Sequence, residues 1–169
     1  MKNRGFTLIE LLVVIAVIGI LASVVLASLN SARAKGRNAR RASDVKQIML
    51  AFQMAINDTG TVPSVAAEHC ISATCYESWA NYVRNSTVDA WLAPYLPTWP
   101  SDPVGGRARG GYLYFLNFPG GTTPYDGSPA PAGHIINWAT EPPLSATSCS
   151  GGKVWAVESN YVECVLYIN

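Results

Sequence analysis

The stretch Arg4–Asn30, RGFTLIELLVVIAVIGILASVVLASLN, decides the reading of the whole chain. From Leu8 to Leu29 it runs 22 positions with a single ionisable group, Glu10. A helix needs about 20 apolar residues to cross a bilayer core of about 30 Å, so the run is long enough to span one. A carboxylate inside such a span costs roughly 2.5–3.5 kcal/mol on insertion scales and marks function by default. Glu10 therefore needs a reason. Its place near a helix N-terminus, where the dipole favours an anion, accounts for about 1 kcal/mol or less.

Three readings compete for residues 1–30. A secretory signal would have the basic start that Lys2 and Arg4 supply, and ARA at Ala32–Ala34 as a cleavage site. Its apolar stretch should be only about 7–15 residues long, however. A plain anchor fits the length and leaves Glu10 unexplained. The third places a cut between Gly5 and Phe6, which gives Phe6 a free amine one helical turn before Glu10. The amine of the same helix, or of a parallel copy staggered by about one turn, then neutralises Glu10. Breaking such a pair would strand a charge in lipid, so the carboxylate would set the register of identical helices.

RGFTLIELLVVIAVIGILA resembles the N-terminal motif of prepilins, the precursors of type IV pilins and type II secretion pseudopilins. The resemblance implies cleavage after Gly5 by a prepilin peptidase, N-methylation of Phe6, and filament assembly guided by Phe6 and Glu10. RRASDVKQIMLAFQMAINDTGTVPS (residues 40–64) is similar to the stretch after the membrane segment in the major pseudopilin of type II secretion systems. APYLPTWPSDPVGG followed by YLYF is similar to the segment linking helix and sheet in those proteins, so the resemblance reaches to about Phe118. The major pseudopilin's calcium loop has no counterpart: Asp126 and Gly127 are present without oxygen ligands at suitable spacing.

Beyond Leu29 no proline occurs until Pro63, and apolar residues recur at Val45, Ile48, Met49, Phe52, Ala55 and Ile56, one face of a helix. The helix is expected to continue to Asp58 and to stop at NDTGTVP, with Gly60 in the turn. Gly36 is its expected weak point. Tyr76–Leu92 is expected to hold one or two short helices. Strands are expected at Tyr112–Phe118, His134–Ala139 and, as a hairpin around Ser159 and Asn160, Val154–Ile168. The Gly- and Pro-rich stretch Pro119–Gly133 reads as a surface loop. The fold class is α+β: a long N-terminal helix, half membrane-spanning and half amphipathic, packed on a small antiparallel sheet in the pilin manner. The expected divisions are a leader at 1–5, a transmembrane and assembly helix at 6–29, its amphipathic continuation at 30–58 and a globular head at 59–169.

The formal net charge of +1 hides an asymmetry. Six of the twelve Lys and Arg fall between Arg33 and Lys46, whereas beyond Lys46 four basic residues face nine acidic ones. An acidic head is a poor nucleic-acid binder, so no nucleic-acid partner is expected. The basic stretch is expected to meet anionic lipid head groups or carboxylates of a neighbouring copy. It also outnumbers the leader's cations, against the positive-inside rule for a head outside the cytoplasm.

The four cysteines, Cys70, Cys75, Cys149 and Cys164, suggest disulfides made in an oxidising compartment. Loop-closure entropy favours the nearest-neighbour pairs Cys70–Cys75 and Cys149–Cys164 over crossed pairings. A zinc site at Glu68, His69, Cys70 and Cys75 is the competing reading, though it lacks a second ligand pair. Neither His69 nor His134 lies in a hydrolase, metalloprotease or phosphate-loop motif. The chain thus reads as no enzyme, with no cofactor, no metal and no catalytic residue.

The function implied is a subunit of a type IV pilus-like or type II secretion pseudopilus filament. Its partners would be the prepilin peptidase, other copies of itself, minor pilins or pseudopilins, the membrane before assembly, and the motor and platform proteins of the machine. It would sit in the inner membrane by a single pass, head outside the cytoplasm, and then enter the filament. The alternatives are a tip subunit for adhesion or DNA uptake, the latter drawing on Arg84, Arg107, Arg109 and Lys153, and a secreted protein cut near Ala34.

Overall fold

The structure, a computed structural model, describes residues 6–65, 67–73, 75–77, 82–104, 109–123, 125–142 and 149–168. Helix α1 runs Leu8–Thr59, 52 residues and roughly 78 Å of continuous helix. It passes Gly36 without interruption. Gly60 ends it in the left-handed region (φ +66°), donating its amide to the Ile56 carbonyl at 2.8 Å. Glycine adopts that conformation without a Cβ clash.

The head follows in the order β1 (Glu68–Cys70), β2 (Tyr76–Glu77), α2 (Ser86–Leu92), β3 (Arg109–Gly110), β4 (Tyr112–Phe118), β5 (Gly121–Thr122), β6 (Pro129–Ala130), β7 (Gly133–Thr140), β8 (Lys153–Val157) and β9 (Val162–Ile168). Five strands form one antiparallel sheet, in the order β1-β4-β7-β9-β8. Its period-2 pattern turns Tyr112, Tyr114 and Leu116 of β4 and Ile136 and Trp138 of β7 into one core. These join Val45, Ile48, Phe52 and Ala55 of α1 and Val88 and Leu92 of α2. Phe52 lies against both Tyr114 and Trp91, with ring centroids 5.7 and 5.8 Å apart. The amphipathic stripe read from the sequence is therefore the face on which the head sits.

The α+β, pilin-like class and the three main strand regions appear as expected. Tyr76–Leu92 holds one short helix, as expected: Asn85 caps α2 by accepting from the Thr87 and Val88 amides. The start of that region, Tyr76–Glu77, instead pairs with β3. Residues 78–81 of that expected helical region lie outside the described residues. The expected loop Pro119–Gly133 carries the small β5–β6 hairpin. Both elements draw their pairing from distant or very short segments, which leave no periodicity to read. β1 also escaped prediction, because three residues at a sheet edge carry too little pattern.

Candidate functional site: the helix entrance and the helix–head junction

At the head of α1, Thr7 is the N-cap. Its Oγ1 accepts from the Glu10 amide at 3.3 Å, and Glu10 Oε2 accepts from the Thr7 amide at 2.9 Å and from Thr7 Oγ1 at 2.8 Å. This reciprocal capping box satisfies two of the donors that a helix N-terminus leaves orphaned. Glu10 is thus held by Thr7 of its own helix. Phe6 is 83% exposed. Gly5 lies outside the described residues, as does the rest of the leader. The capping role escaped the sequence reading, although Thr7-Leu8-Ile9-Glu10 before an apolar run is its signature.

Beyond the cap, the large apolar side chains from Leu8 to Leu29 are all exposed, at least 42% each. The most apolar window of this helix has a mean hydropathy of 3.0 and none of it is buried in the head. A helix of that composition packs against something other than its own chain, whether lipid or other helices.

At the other end of the exposed stretch the helix meets the head through charge. Arg41 is 1% exposed. Its Nε and Nη2 donate to Asp102 Oδ2 and Oδ1, both at 2.8 Å, a bidentate fork. Its Nη1 donates to Glu141 Oε1 at 2.9 Å and to Asn38 Oδ1 at 2.8 Å. Arg37 holds the same Glu141 through Nε at 2.8 Å and Nη2 at 2.5 Å. Asn38 closes the junction: its Nδ2 donates to the Glu141 carbonyl, and its Oδ1 accepts from the Glu141 amide. Two guanidinium groups and two carboxylates cancel, which is how buried charge is tolerated. Nearby, the Tyr112 hydroxyl donates to Asp44 Oδ2 at 2.7 Å, and burial, reinforced by this bond, pushes its pKa well above that of an ordinary tyrosine.

This corrects the expectation for the basic stretch. Arg37 and Arg41 meet carboxylates, but of their own chain. Nothing in the sequence pointed there, since Asp102 and Glu141 stand 61 and 100 residues beyond Arg41. Arg33, Lys35 and Lys46 remain exposed, with no ion pair among the described residues.

The structure joins Cys70 to Cys75 and Cys149 to Cys164, with Cα atoms 5.9 and 5.4 Å apart. A sulfur in a disulfide is not a thiolate ligand, so the first pair does not fit the zinc alternative. No group of three or more His, Cys, Asp or Glu placed to hold a metal occurs among the described residues. Of the cations that a DNA-uptake role would draw on, Arg84 is bound to Asp89 and stacks on Trp99, and Lys153 stands over the Tyr167 ring. Arg107 lies outside the described residues.

Comparison with known proteins draws on the same regions. The prokaryotic N-terminal methylation motif matches residues 1–26. The chain is 32% identical over 128 residues to the type II secretion system core protein G of Escherichia coli (strain K12), covering 74% of this chain and 79% of that protein. Its counterpart in Klebsiella pneumoniae is 30% identical over 102 residues, which are 56% of this chain and 73% of that protein. A probable minor fimbrial protein of Dichelobacter nodosus is 35% identical over 69 residues, 41% of this chain and 43% of the relative's length. No solved structure matches the chain. A capped apolar helix, an antiparallel head seated on its second half, and a match over most of two core protein G sequences lead to one conclusion: the chain belongs to the type IV pilin and pseudopilin family.

Proposed function

We propose that the chain is a structural subunit of an extracytoplasmic filament, held in the inner membrane by Leu8–Leu29 and polymerised through α1. The observation that carries this reading is the exposed apolar half-helix, interrupted only by a capped Glu10. A span that only anchored the head would need no carboxylate. Cleavage by prepilin peptidase after Gly5 would give Phe6 an amine, which is then methylated, and Glu10 would pass from Thr7 to that amine on an adjacent copy. The head would lie outside the cytoplasm, where disulfides such as Cys70–Cys75 and Cys149–Cys164 persist. The extent of the match to core protein G favours the secretion pseudopilus over the pilus. Other copies, minor pseudopilins, and the motor and platform proteins of that machine would be the partners.

Two substitutions separate the roles of Glu10. Glutamine can replace glutamate in a capping box but carries no charge to offer an amine. Glu10→Gln and Glu10→Ala should both be processed to a chain starting at Phe6, as read by intact mass. Both should fail to give ordered filaments in electron micrographs of sheared cells. Filaments from Glu10→Gln but not Glu10→Ala would reduce Glu10 to a helix cap, and normal filaments from both would remove it from assembly altogether.

A further inference from the structure

Above the junction α1 has two unlike faces. At about 100° per residue, Val45, Ile48, Phe52 and Ala55 turn to one side, where the head covers them. Leu50 lies opposite the middle of that buried face, with Lys46 and Met54 one turn before and after it. Leu50 and Met54 are each 53% exposed, and they are the only exposed large apolar side chains of α1 beyond Leu29. Lys46 is exposed too, without an ion pair among the described residues. Lipid does not reach this face. At about 1.5 Å per residue, Leu50 lies about 32 Å beyond Leu29 along the axis, well outside a headgroup layer of about 5–7 Å.

A matching surface exists on the chain itself. Leu8–Leu29 is exposed and apolar, and its only ionisable group is an anion, Glu10. Glu10, Val14 and Ile18 repeat the four-residue spacing of Lys46, Leu50 and Met54, so each triplet is a short ridge with its charged group at the same end. Val14 and Ile18 are 48% and 58% exposed. In a parallel copy displaced outward by 36 residues, about ten turns, anion meets cation and apolar meets apolar. A filament that repeats the one-turn stagger of the Glu10 reading places copies at whole multiples of it, ten turns included. A carboxylate has two oxygens, so Glu10 can meet this cation as well as the Phe6 amine. We propose that the face of α1 at Lys46, Leu50 and Met54 seats the apolar half of a second copy, with that copy's Glu10, Val14 and Ile18 against it. The two ridges are kept apart while both copies sit in the membrane, so the contact forms only as the incoming copy leaves the bilayer, and it covers apolar surface that lipid gives up. The inference rests on the filament reading and names the surface that receives the span.

All four cysteines are held in disulfides, so an introduced pair supplies the only free thiols. The test is a cross-link in filaments of the full-length chain, sheared from cells, oxidised and run on a non-reducing gel. Val14→Cys with Leu50→Cys should give a ladder, because each copy then links one neighbour through each position. Ile18→Cys with Met54→Cys is the second pair and should behave the same. Leu21→Cys with Leu50→Cys moves the first thiol two turns along the same helix face, about 10 Å, beyond the reach of a disulfide, and should give no ladder. Each single variant should give dimers at most. All these side chains are exposed in the subunit, so the packing of the head is untouched. Lys46→Glu, added to the Val14 and Leu50 pair, sets like charges together and should remove most of the ladder; Lys46→Gln should remove less.

Filaments of both cysteine pairs without a ladder would overturn the proposal and leave the filament reading in place. An equal ladder from the Leu21 pair would overturn it as well, since the face would then have no register. Strong dimers from Leu50→Cys alone would mean that two copies of this same face meet and that Leu8–Leu29 is not the occupant. A ladder undiminished by Lys46→Glu would remove the charge pairing and with it the ten-turn displacement. Wild-type chains that form no filaments would end the filament reading, and this contact with it. The Glu10 substitutions use no thiols, so the two readings are scored separately.

Discussion

Among single residues, Arg41 carries the largest structural consequence. It is a cation with almost no contact with water, satisfied by Asp102, Glu141 and Asn38. Removing one partner of such a cluster leaves a buried charge without its counter-charge, at a cost of about 3–5 kcal/mol. Glu141 would still keep Arg37, whereas Asp102 would lose the one ion pair it makes among the described residues. Arg41→Met should therefore destabilise the head strongly, and Arg41→Met with Asp102→Asn should recover a large part of the loss. Chemical denaturation of the full chain in detergent, followed by tryptophan fluorescence, reads both. Equal midpoints for the single and double variants would show that Asp102 does not depend on Arg41. Lysine is no substitute here, because it lacks the planar fork that meets both Asp102 oxygens. Glu10 offers the contrast: its partner Thr7 is three residues away, so its local role is written in the sequence.

At the level of elements, the β7–β9–β8 region shows how tightly the sheet closes. Gly152, just before β8, has no room for a side chain. A Cβ there would sit 2.6 Å from Trp138 Cη2 and 2.6 Å from the Val165 carbonyl oxygen. Trp138 is itself 2% exposed, so it cannot swing aside into solvent. Overpacking of this kind costs about 1–3 kcal/mol. Gly152→Ala should lower the denaturation midpoint by that order, whereas Gly36→Ala, with nothing within 4 Å of the added Cβ, should not. In a helix interior alanine is preferred over glycine by about 1 kcal/mol, so Gly36→Ala should raise the midpoint slightly. A drop for Gly36→Ala would show that the helix needs that position to bend.

For the molecule as a whole, the decisive fact is that one helix serves two environments. Its first half is exposed and apolar; its second half buries Val45, Ile48, Ala51, Phe52 and Ala55 under the head. The head is small and gains further from its covalent ties. Cys149–Cys164, with a sequence separation of 15, joins β9 to the segment before β8. Closing a loop of that length contributes about 3 kcal/mol in the chain-entropy account. Cys149→Ser with Cys164→Ser should therefore shift the unfolding midpoint of the head, while leaving membrane insertion of Leu8–Leu29 intact. Carbonate extraction of membranes checks the second part. A variant lost from the membrane would show that the head governs anchoring.

The long helix, its apolar and amphipathic halves, the main strands and the family motif were all readable from residue order. Each of these rests on periodicity or on residues close in the chain, such as Leu8–Leu29, the Val45–Ile56 stripe and Tyr112–Phe118. The capping box of Thr7 and Glu10 was legible on the same terms. Which cations of the basic stretch are spoken for emerged with the folded chain. Arg37 and Arg41 meet carboxylates that arrive from loops up to 104 residues away, and Arg33 and Lys35 do not. The short strands at Glu68–Cys70 and Tyr76–Glu77 were equally hidden. The physical reason is the same for all: local pattern reports the face a residue presents, but pairing across a core depends on where the fold brings the partner.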